Sequence, residues 1–348
     1  MKIVITGCAG FIGLNFLDLW FERHPSDMVI GIDNLTYAAN TNELSKRIGA
    51  GKNFTFYRAD ISDKDAIFKI FEREMPECVV NFAAETHVDR SIESAEIFVK
   101  SNVVGTQVLL DASLKYGVKR FHQISTDEVY GDMPIESTDR FSESSPLSPS
   151  SPYSASKAAA DMLVLAYQRT HGLAVTISRC SNNYGKYQHS EKMIPHTAEL
   201  LLFGARAKVY GDGKNVRDWI HVSDHCKAVE KIILSEKTGE IYNIGGGAEI
   251  SNVELVFKIS TAIRKLLIGE IEDESAENLE LGDNLKSDIT EDFANEITDN
   301  IEFVSDRPGH DRKYSLDSSK IKNELFWIPE ISFDEGLLDT VKWIKDNS

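Results

Sequence analysis

The chain has 348 residues, of which 42% are hydrophobic and 27% are charged, a composition typical of a globular protein that buries a large core. Its net charge of −17 excludes the basic surface that a nucleic-acid partner would need. No apolar run approaches the roughly 20 residues of a membrane span, so we expect no membrane partner either.

Strand and helix patterns alternate along the first half of the chain. In order, they predict strand Ile3–Thr6, helix Phe11–Arg23, strands Met28–Asp33 and Phe54–Arg58, helix Ala66–Glu74, strand Cys78–Phe82, helix Ser94–Tyr116, strand Arg120–Ser125, helix Tyr153–His171 and strand Ala174–Arg179. Apolar strands that alternate with helices indicate a parallel sheet covered on both faces, the doubly wound α/β class.

The pattern becomes less regular after about residue 180. It predicts strands Val209–Tyr210 and Glu240–Asn243 and helices Ile194–Phe203, Ser223–Leu234 and Asn252–Leu267. We interpret residues 1–180 as one domain, to which about 215–245 return. Residues 181–348 then form a smaller, discontinuous C-terminal lobe that binds the substrate.

Most of the negative charge lies in one segment of that lobe. Between Glu270 and Glu302 there are thirteen acidic residues and one basic residue, so this segment supplies −12 of the −17. We interpret about 270–300 as a solvated acidic insert.

The N-terminal residues and the cysteines indicate the cellular compartment of the protein. Met1-Lys2 leads directly into a predicted buried strand and not into a signal peptide. The four cysteines are far apart and include no CxxC pair, which predicts reduced thiols without a disulfide framework or a metal site. We therefore expect a cytoplasmic protein.

A glycine-rich turn follows the first predicted strand and opens the first helix. Gly7, Gly10 and Gly13 allow a tight turn, a close approach to a pyrophosphate, and close contact between helix and strand. The helix N-terminus favours the anion through its free N–H groups and dipole. Asp33 ends the second strand, where a carboxylate binds an adenosine ribose and repels a 2′-phosphate. The pattern predicts a Rossmann-type domain that binds NAD.

The ends of two more strands are expected to line the same NAD-binding site. Asp60 and Ile61 follow the third strand, where an adenine ring would lie. Phe82, Ala83 and Ala84 follow the fourth strand, where small residues allow close passage beside the nicotinamide ribose.

Tyr153 and Lys157 are four residues apart on a predicted helix and therefore share a face. A tyrosine normally holds its proton to a pH of about 10. A neighbouring ammonium and a cationic nicotinamide ring both favour the phenolate, so we expect a lowered pKa for Tyr153. The pair predicts a base that accepts the proton of an alcohol during its oxidation.

Thr126, Asp127 and Glu128 begin where the fifth strand ends, at the sheet edge where such folds bind ligands. Thr126 can donate a hydrogen bond to the reacting oxygen. Burial and like-charge repulsion make one of the two adjacent carboxyl groups harder to ionise than the other. The pair can therefore supply an acid and a base together, as the elimination of water requires.

With these residues the chain resembles the extended short-chain dehydrogenase/reductases and, among them, the dTDP-glucose 4,6-dehydratases. The matching stretches are GCAGFIG (7–13), DNLTYA (33–38), AAETHVDRS (83–91), STDEVYG (125–131), YSASK (153–157), SNNYG (181–185), EKMIP (191–195), RDWIHVSDH (217–225) and DRPGHDRKY (306–314). The paired acids together with YxxxK are the specific part, because related epimerases keep YxxxK and generally lack the acids.

The resemblance implies a redox-neutral dehydration with tightly held NAD and a homodimer formed through the two long helices. Tyr153, aided by Lys157, takes the C4 hydroxyl proton while NAD takes the C4 hydride, and Thr126 holds that oxygen. Glu128 then acts as the base at C5 and Asp127 as the acid at C6. NADH returns its hydride to C6, which gives a 4-keto-6-deoxy sugar.

The resemblance also extends the set of binding residues. The further cofactor contacts that it implies are Phe11, Ile12, Asn34, Leu35, Thr36, Glu85, Asn102 and Asn183, besides Tyr153 and Lys157. The substrate contacts that it implies are Thr86, His87, Thr126, Asn182, Lys192, Met193, Lys208, Val209, Tyr210, Arg217, Asn252, Asp306, Arg307 and His310. Arg217 and Arg307 can clamp a diphosphate bidentately.

Departures from the family pattern leave the nucleotide base and the hexose open. Lys186 stands where proline is usual, Cys180 where threonine is common, and the loop 187–190 reads Tyr-Gln-His-Ser instead of Tyr-His-Phe-Pro. dTDP-glucose is the favoured substrate, and UDP-glucose and UDP-N-acetylglucosamine are alternatives. A 4-epimerase and a non-catalytic NAD-binding regulator are the other hypotheses.

Overall fold

The computed structural model describes residues 1–50, 53–275 and 301–348. The strands in chain order are β1 Lys2–Thr6, β2 Met28–Asp33, β3 Phe54–Arg58, β4 Cys78–Asn81, β5 Arg120–Thr126, β6 Val175–Cys180, β7 Asn182–Tyr184, β8 Ala207–Tyr210, β9 Val216–His221, β10 Glu240–Ile244, β11 Ala248–Ser251 and β12 Ile301–Val304. Seven of them form a sheet in the order β10-β6-β5-β4-β1-β2-β3. Every neighbouring pair in this sheet is parallel.

The α-helices of the described residues either flank this sheet or belong to a smaller lobe. They are α1 Phe11–Arg23, α2 Thr41–Ile48, α3 Lys64–Glu74, α4 Val88–Glu93, α5 Glu96–Phe98, α6 Gly105–Lys115, α7 Pro152–His171, α8 Met193–Leu202, α9 Val222–Leu234, α10 Asn252–Ser275, α11 Ser319–Leu325 and α12 Phe333–Asn347. A π-helical segment, Val99–Val104, joins α5 to α6. Across residues 1–50, 53–275 and 301–348, no helix is both long and apolar enough to cross a membrane.

The side chains of each strand alternate between two separate cores. In β1, Ile3 and Ile5 pack in the core under α1 and α9. Val4 packs in the opposite core, which is formed with α3, α6 and α7. Because successive side chains of a strand point to opposite faces, a strand buried on both faces is apolar throughout. The doubly wound parallel α/β fold predicted from the sequence is confirmed.

A smaller lobe follows the main sheet in the chain. It contains a three-stranded sheet, β11-β9-β7, and a two-stranded sheet, β12-β8. Helices α8, α10 and α12 contact one another around an apolar core that includes Leu255, Ile259 and Val341. Within the segment about 215–245, β10 joins the main sheet, whereas β9 belongs to the three-stranded sheet. The predicted acidic insert lies outside the described residues, apart from the end of α10.

The contribution of the core under α6 to the free energy of unfolding can be measured. Leu109 is fully buried in this core, so Leu109→Ala should leave a cavity and lower the free energy of unfolding by about 3 kcal/mol. The control Leu234→Ala changes a leucine that is 50% exposed and should cost no more than about 0.5 kcal/mol. Chemical denaturation measures both, and equal losses would contradict the packing described here.

Candidate active site

Two connected clefts open at the carboxyl edge of the main sheet. One, of about 610 Å³ with solvent space included, follows the ends of β1, β2 and β4. The other, of about 1210 Å³ on the same measure, continues past β5 and β6. The residues that line both are Gly7, Gly10, Ala38, Phe82 and Ala84. Together they offer enough space for a dinucleotide and a nucleotide-sugar.

The glycine turn forms the floor where the clefts meet. A Cβ on Gly13 would lie 2.1 Å from the carbonyl oxygen of Gly7, and a Cβ on Gly7 would lie 2.7 Å from the backbone nitrogen of Ala83. Gly7 also has a φ of +64°, which favours glycine. Among the described residues no side chain caps α1, so the N–H groups of its first turn can bind an anion. This cradle fits the pyrophosphate of a dinucleotide.

Asp33 lies beside this cradle at the end of β2. Its carboxylate accepts hydrogen bonds from the backbone N–H groups of Leu35 at 2.8 Å and Ala9 at 3.0 Å. Burial raises the pKa of Asp33, and the two hydrogen bonds act against that rise. The adjacent cleft is lined by Gly7, Gly10, Asp33, Asn34, Thr36, Asp60, Ile61, Phe82, Ala83, Ala84 and Glu85 of the predicted cofactor set.

Two predicted cofactor contacts, Leu35 and Asn102, line neither cleft, and Leu35 packs against the core under α1. Asn102 lies behind the cleft. Its side chain accepts a hydrogen bond from the backbone N–H of Glu85 and donates to the carbonyl of Glu85 and to the hydroxyl of Ser156. It is buried and is not among the cleft-lining residues. Asn102 therefore fixes the loop after β4 to helix α7.

Helix α7 places Tyr153 and Lys157 in the larger cleft. Its first turn is held by a capping box between Ser151 and Ser154, with Pro152 at the first helical position. Both predicted catalytic side chains line the cleft and are buried. The ammonium of Lys157 donates a hydrogen bond of 2.6 Å to the carbonyl of Ile124.

The pKa of Tyr153 differs from the value expected from the sequence. In this structure burial raises it well above the usual value, and the charge of Glu128 raises it further. The expected lowering included the charge of a bound nicotinamide ring and therefore stays a prediction, and the spacing could not show how strongly the phenol is desolvated. Burial lowers the pKa of Lys157, because desolvation disfavours the charged ammonium.

Thr126, Asp127 and Glu128 form a short turn at the end of β5. The Thr126 hydroxyl accepts a hydrogen bond from the backbone N–H of Glu128 at 3.3 Å and donates one to Asp127 at 3.2 Å. Asp127 is 2% exposed, and its Oδ2 atom has no hydrogen-bond partner among the described residues. All three side chains line the larger cleft with Tyr153 and Lys157.

The two acids experience unequal electrostatic surroundings. Burial raises the pKa of Asp127 well above its usual value, and the charges of Glu128 and Asp218 raise it further. Burial also raises the pKa of Glu128, but Arg217, Arg307 and Lys192 all counteract that rise. Asp127 is therefore the group that keeps a proton more readily.

The three cations around Glu128 reach it from separate segments. Lys192 donates a hydrogen bond to the carbonyl of Thr86, and Arg307 forms an ion pair with Asp89 at 3.2 Å. The buried guanidinium of Arg217 donates to the carbonyls of Val216 and Asp311. The guanidinium also lies over the ring of Tyr314 at 4.4 Å, and its charge lowers the pKa of Glu128.

The predicted substrate contacts fall into two groups. Thr86, Thr126, Asn182 and Lys192 line the larger cleft. The cleft lining does not include His87, Met193, Lys208, Val209, Tyr210, Arg217, Asn252, Asp306, Arg307 and His310. Val209 is 1% exposed and its side chain packs in the lobe core, so the predicted contact at this position is left to the backbone. The alternation of β8 buries this side chain, which the sequence motif could not show.

Several polar residues of the cleft were not predicted from the sequence. Ser181, Gln188 and His189 line it, and Ser181 Oγ and Gln188 Oε1 have no hydrogen-bond partner among the described residues. Ser181 precedes the predicted contact Asn182, and Gln188 lies in the loop that departs from the family pattern. Unpaired buried polar atoms in a cleft are available to a ligand.

Comparison with known proteins agrees with this geometry. The family model described as "GDP-mannose 4,6 dehydratase" matches residues 4–340. A dTDP-glucose 4,6-dehydratase of Haemophilus influenzae is 44% identical, and the alignment covers 100% of this chain and 99% of that protein. One from Streptomyces niveus is 42% identical, with 100% and 94% covered.

Solved structures give the same result. The dTDP-glucose 4,6-dehydratase DesIV of Streptomyces venezuelae, solved with NAD bound, is 40% identical with a TM-score of 0.86, covering 100% of this chain and 98% of that one. A UDP-glucose 4-epimerase of Thermotoga maritima has a TM-score of 0.82 but only 28% identity, with 100% and 99% covered. The chain belongs to the dTDP-glucose 4,6-dehydratase family.

Proposed function

We propose that this protein is an NAD-dependent hydro-lyase that converts dTDP-glucose to dTDP-4-keto-6-deoxy-glucose and water. The observation that carries the proposal is the pair Asp127 and Glu128, unequal in pKa, beside Tyr153 and Lys157 in one cleft. The relatives named as dTDP-glucose 4,6-dehydratases, and the NAD present in their structures, support it.

The residues of the glycine turn and the smaller cleft would hold NAD. Gly7, Gly10 and the first turn of α1 bind the pyrophosphate, and Asp33 binds the adenosine ribose. When bound, NAD supplies a reversible two-electron oxidation, in which it accepts the hydride of C4 and later returns it to C6. The division of the chain into an NAD-binding domain, 1–180 with the return of about 215–245, and a nucleotide-sugar lobe, the rest of 181–348, belongs to the same proposal.

Tyr153, Lys157 and Thr126 carry out the oxidation half of the reaction. The Tyr153 phenolate takes the proton of the C4 hydroxyl, and the Thr126 hydroxyl holds that oxygen. Because burial raises the pKa of Tyr153, the positive charge of Lys157 is needed to stabilise the phenolate. The product of this half is a 4-ketone, which acidifies the C5–H bond.

Glu128 and Asp127 carry out the elimination half. Three nearby cations favour the ionised form of Glu128, which removes the C5 proton. Burial and two like charges favour the protonated form of Asp127, which gives its proton to the departing C6 hydroxyl. One carboxyl accepts a proton while its neighbour donates one, so water leaves without a net change in charge.

The remaining substrate contacts are proposed from the family resemblance and from charge. Lys192, Arg217 and Arg307 surround the cleft near Glu128 and would bind the diphosphate. The loop 187–190 and its cleft-lining residues Gln188 and His189 would face the base. dTDP-glucose is favoured by the named relatives, with UDP-glucose and UDP-N-acetylglucosamine as the alternative substrates.

The substrate is tested by incubation of the NAD-loaded protein with dTDP-, UDP-, CDP- and GDP-hexoses, with products identified by mass. We expect dTDP-glucose to lose one water with the highest kcat/KM and to give a 4-keto product. A product isomeric with its substrate would show an epimerase. No turnover of any sugar would support a binding protein instead.

The division of labour is tested with two variants on the favoured substrate. Tyr153→Phe removes the oxidising base and should lower the first hydride transfer by at least about 100-fold. Asp127→Asn combined with Glu128→Gln should oxidise C4, accumulate reduced nicotinamide and lose dehydration by at least about 100-fold. Rapid-mixing absorbance follows the nicotinamide and mass follows the water loss. Normal dehydration by the double variant would contradict the assignment.

We also propose that the protein is a cytoplasmic homodimer formed through α5, α6 and α7. Apolar side chains on and beside these helices are exposed, namely Ile97, Val99, Val104 and Met162 at 41–49%. By contrast, Val108 and Leu109 of the same region pack against the sheet. A cluster of exposed apolar residues on adjacent helices favours a protein contact. All four cysteines are free thiols, which agrees with a reducing compartment.

The dimer is tested by placing a charge on this face. Met162→Lys should convert the dimer to a monomer at micromolar concentration, because an ammonium would lose its water in the contact. Leu234→Lys, at a leucine that is 50% exposed on α9, is the control and should remain dimeric. Light scattering coupled to size exclusion measures both. A dimeric Met162→Lys protein would place the contact elsewhere.

A further inference from the structure

A fully buried ion pair lies directly behind the catalytic helix. Asp161 of α7 and Arg179 of β6 have side chains that are 0% and 2% exposed, and Arg179 Nε donates to Asp161 Oδ2 at 2.9 Å. Neither residue lines the clefts. Removing both charges from water costs free energy that apolar side chains of similar size would not cost. A contribution to stability alone is therefore a weak explanation for the pair.

The position of Asp161 relates it to the catalytic residues. Tyr153, Lys157 and Asp161 follow one another at four-residue intervals on α7, so they lie along one face of the helix. All three are buried. The carboxylate therefore sits one helical turn beyond the ammonium, which is itself one turn beyond the phenol.

The carboxylate of Asp161 favours the charged form of Lys157, one helical turn away. Burial lowers the pKa of Lys157, and Asp161 is the main influence that raises it again. The other titratable groups that face Lys157 are Tyr153 on the same helix and Cys180 on β6. Burial raises the pKa of Cys180 to about 12, so this thiol is neutral at working pH. Among the groups that raise the pKa of Lys157, Asp161 has the largest effect.

Arg179 in turn favours the ionised form of Asp161 and fixes the position of its carboxylate. Burial raises the pKa of Asp161, and Arg179 is the first influence that lowers it. The same guanidinium donates a hydrogen bond of 3.0 Å to the hydroxyl of Tyr130 and lies over its ring at 4.9 Å. Tyr130 ends the turn that begins with Asp127. Arg179 therefore joins the catalytic helix to the segment that carries the acid and the base.

We propose that Asp161 is a positioning residue that, held by Arg179, keeps Lys157 charged and in line with Tyr153. The role is exerted through Lys157, because Asp161 itself does not reach the cleft. It rests on the proposed function, in which the Lys157 ammonium stabilises the Tyr153 phenolate during oxidation of the sugar.

The test is the pH dependence of the first hydride transfer in the NAD-loaded protein. Asp161→Asn keeps the shape of the side chain and removes its charge, so Lys157 should lose its proton at lower pH. We expect the alkaline limb of the profile to move down by about one pH unit. The rate at neutral pH should fall by about tenfold, with KM for dTDP-glucose unchanged, because substrate contacts are intact. The thermal unfolding midpoint, measured on the same sample, establishes that the variant is folded.

Two further variants separate this role from a structural one. Asp161→Asn alone leaves Arg179 as an unpaired buried cation, and the double variant Asp161→Asn with Arg179→Gln removes that cation too. The double variant should fold, and its alkaline limb should be shifted as in Asp161→Asn. Glu230→Gln is the control. It breaks the ion pair of 2.6 Å between the buried Glu230 carboxylate and Arg23, which ends α1. It should lower the free energy of unfolding without moving the alkaline limb of the pH profile. An unshifted limb in either folded Asp161 variant would overturn the proposal. A wild-type protein that oxidises no sugar would instead overturn the proposed function.

Discussion

The burial of ionisable groups at one edge of a parallel sheet is the constraint on which the rest of this structure depends. Asp127, Tyr153 and Lys157 are each less than a tenth exposed, and each has a pKa moved by desolvation toward its neutral form. In such surroundings a single neighbouring charge decides which group holds a proton. The arrangement of cations and anions around the cleft is therefore part of the chemistry and not a surface property.

The fold meets this constraint by bringing many segments to one place. Parallel strands end at the same edge, so the turns after β1, β4, β5 and β6 all face the clefts. The capped start of α7 then presents Tyr153 and Lys157 to the end of β5. The small lobe adds cations from segments far away in the chain, including Arg217 on β9 and Arg307 after β12.

Sequence patterns predicted the main sheet well because its strands are apolar on both faces. The bounds predicted for β2, β3 and α1 agree with the structure to the residue. The short strands β7, β9 and β11 were missed, because they carry polar site residues and have no apolar alternation to detect. The identity of the catalytic side chains follows from their spacing. Their protonation does not, because it depends on burial and on charges brought by distant segments.

The last strand of the main sheet has a consequence for how the chain is made. β10 pairs with β6, and its Asn243 accepts a hydrogen bond from Tyr130, yet it follows the first strands of the small lobe in sequence. During synthesis the edge of β6 stays without its neighbour until the chain beyond Ile244 has left the ribosome. The main sheet is therefore completed only after the first strands of the small lobe have been made, and an unpaired edge is exposed to other nascent chains until then.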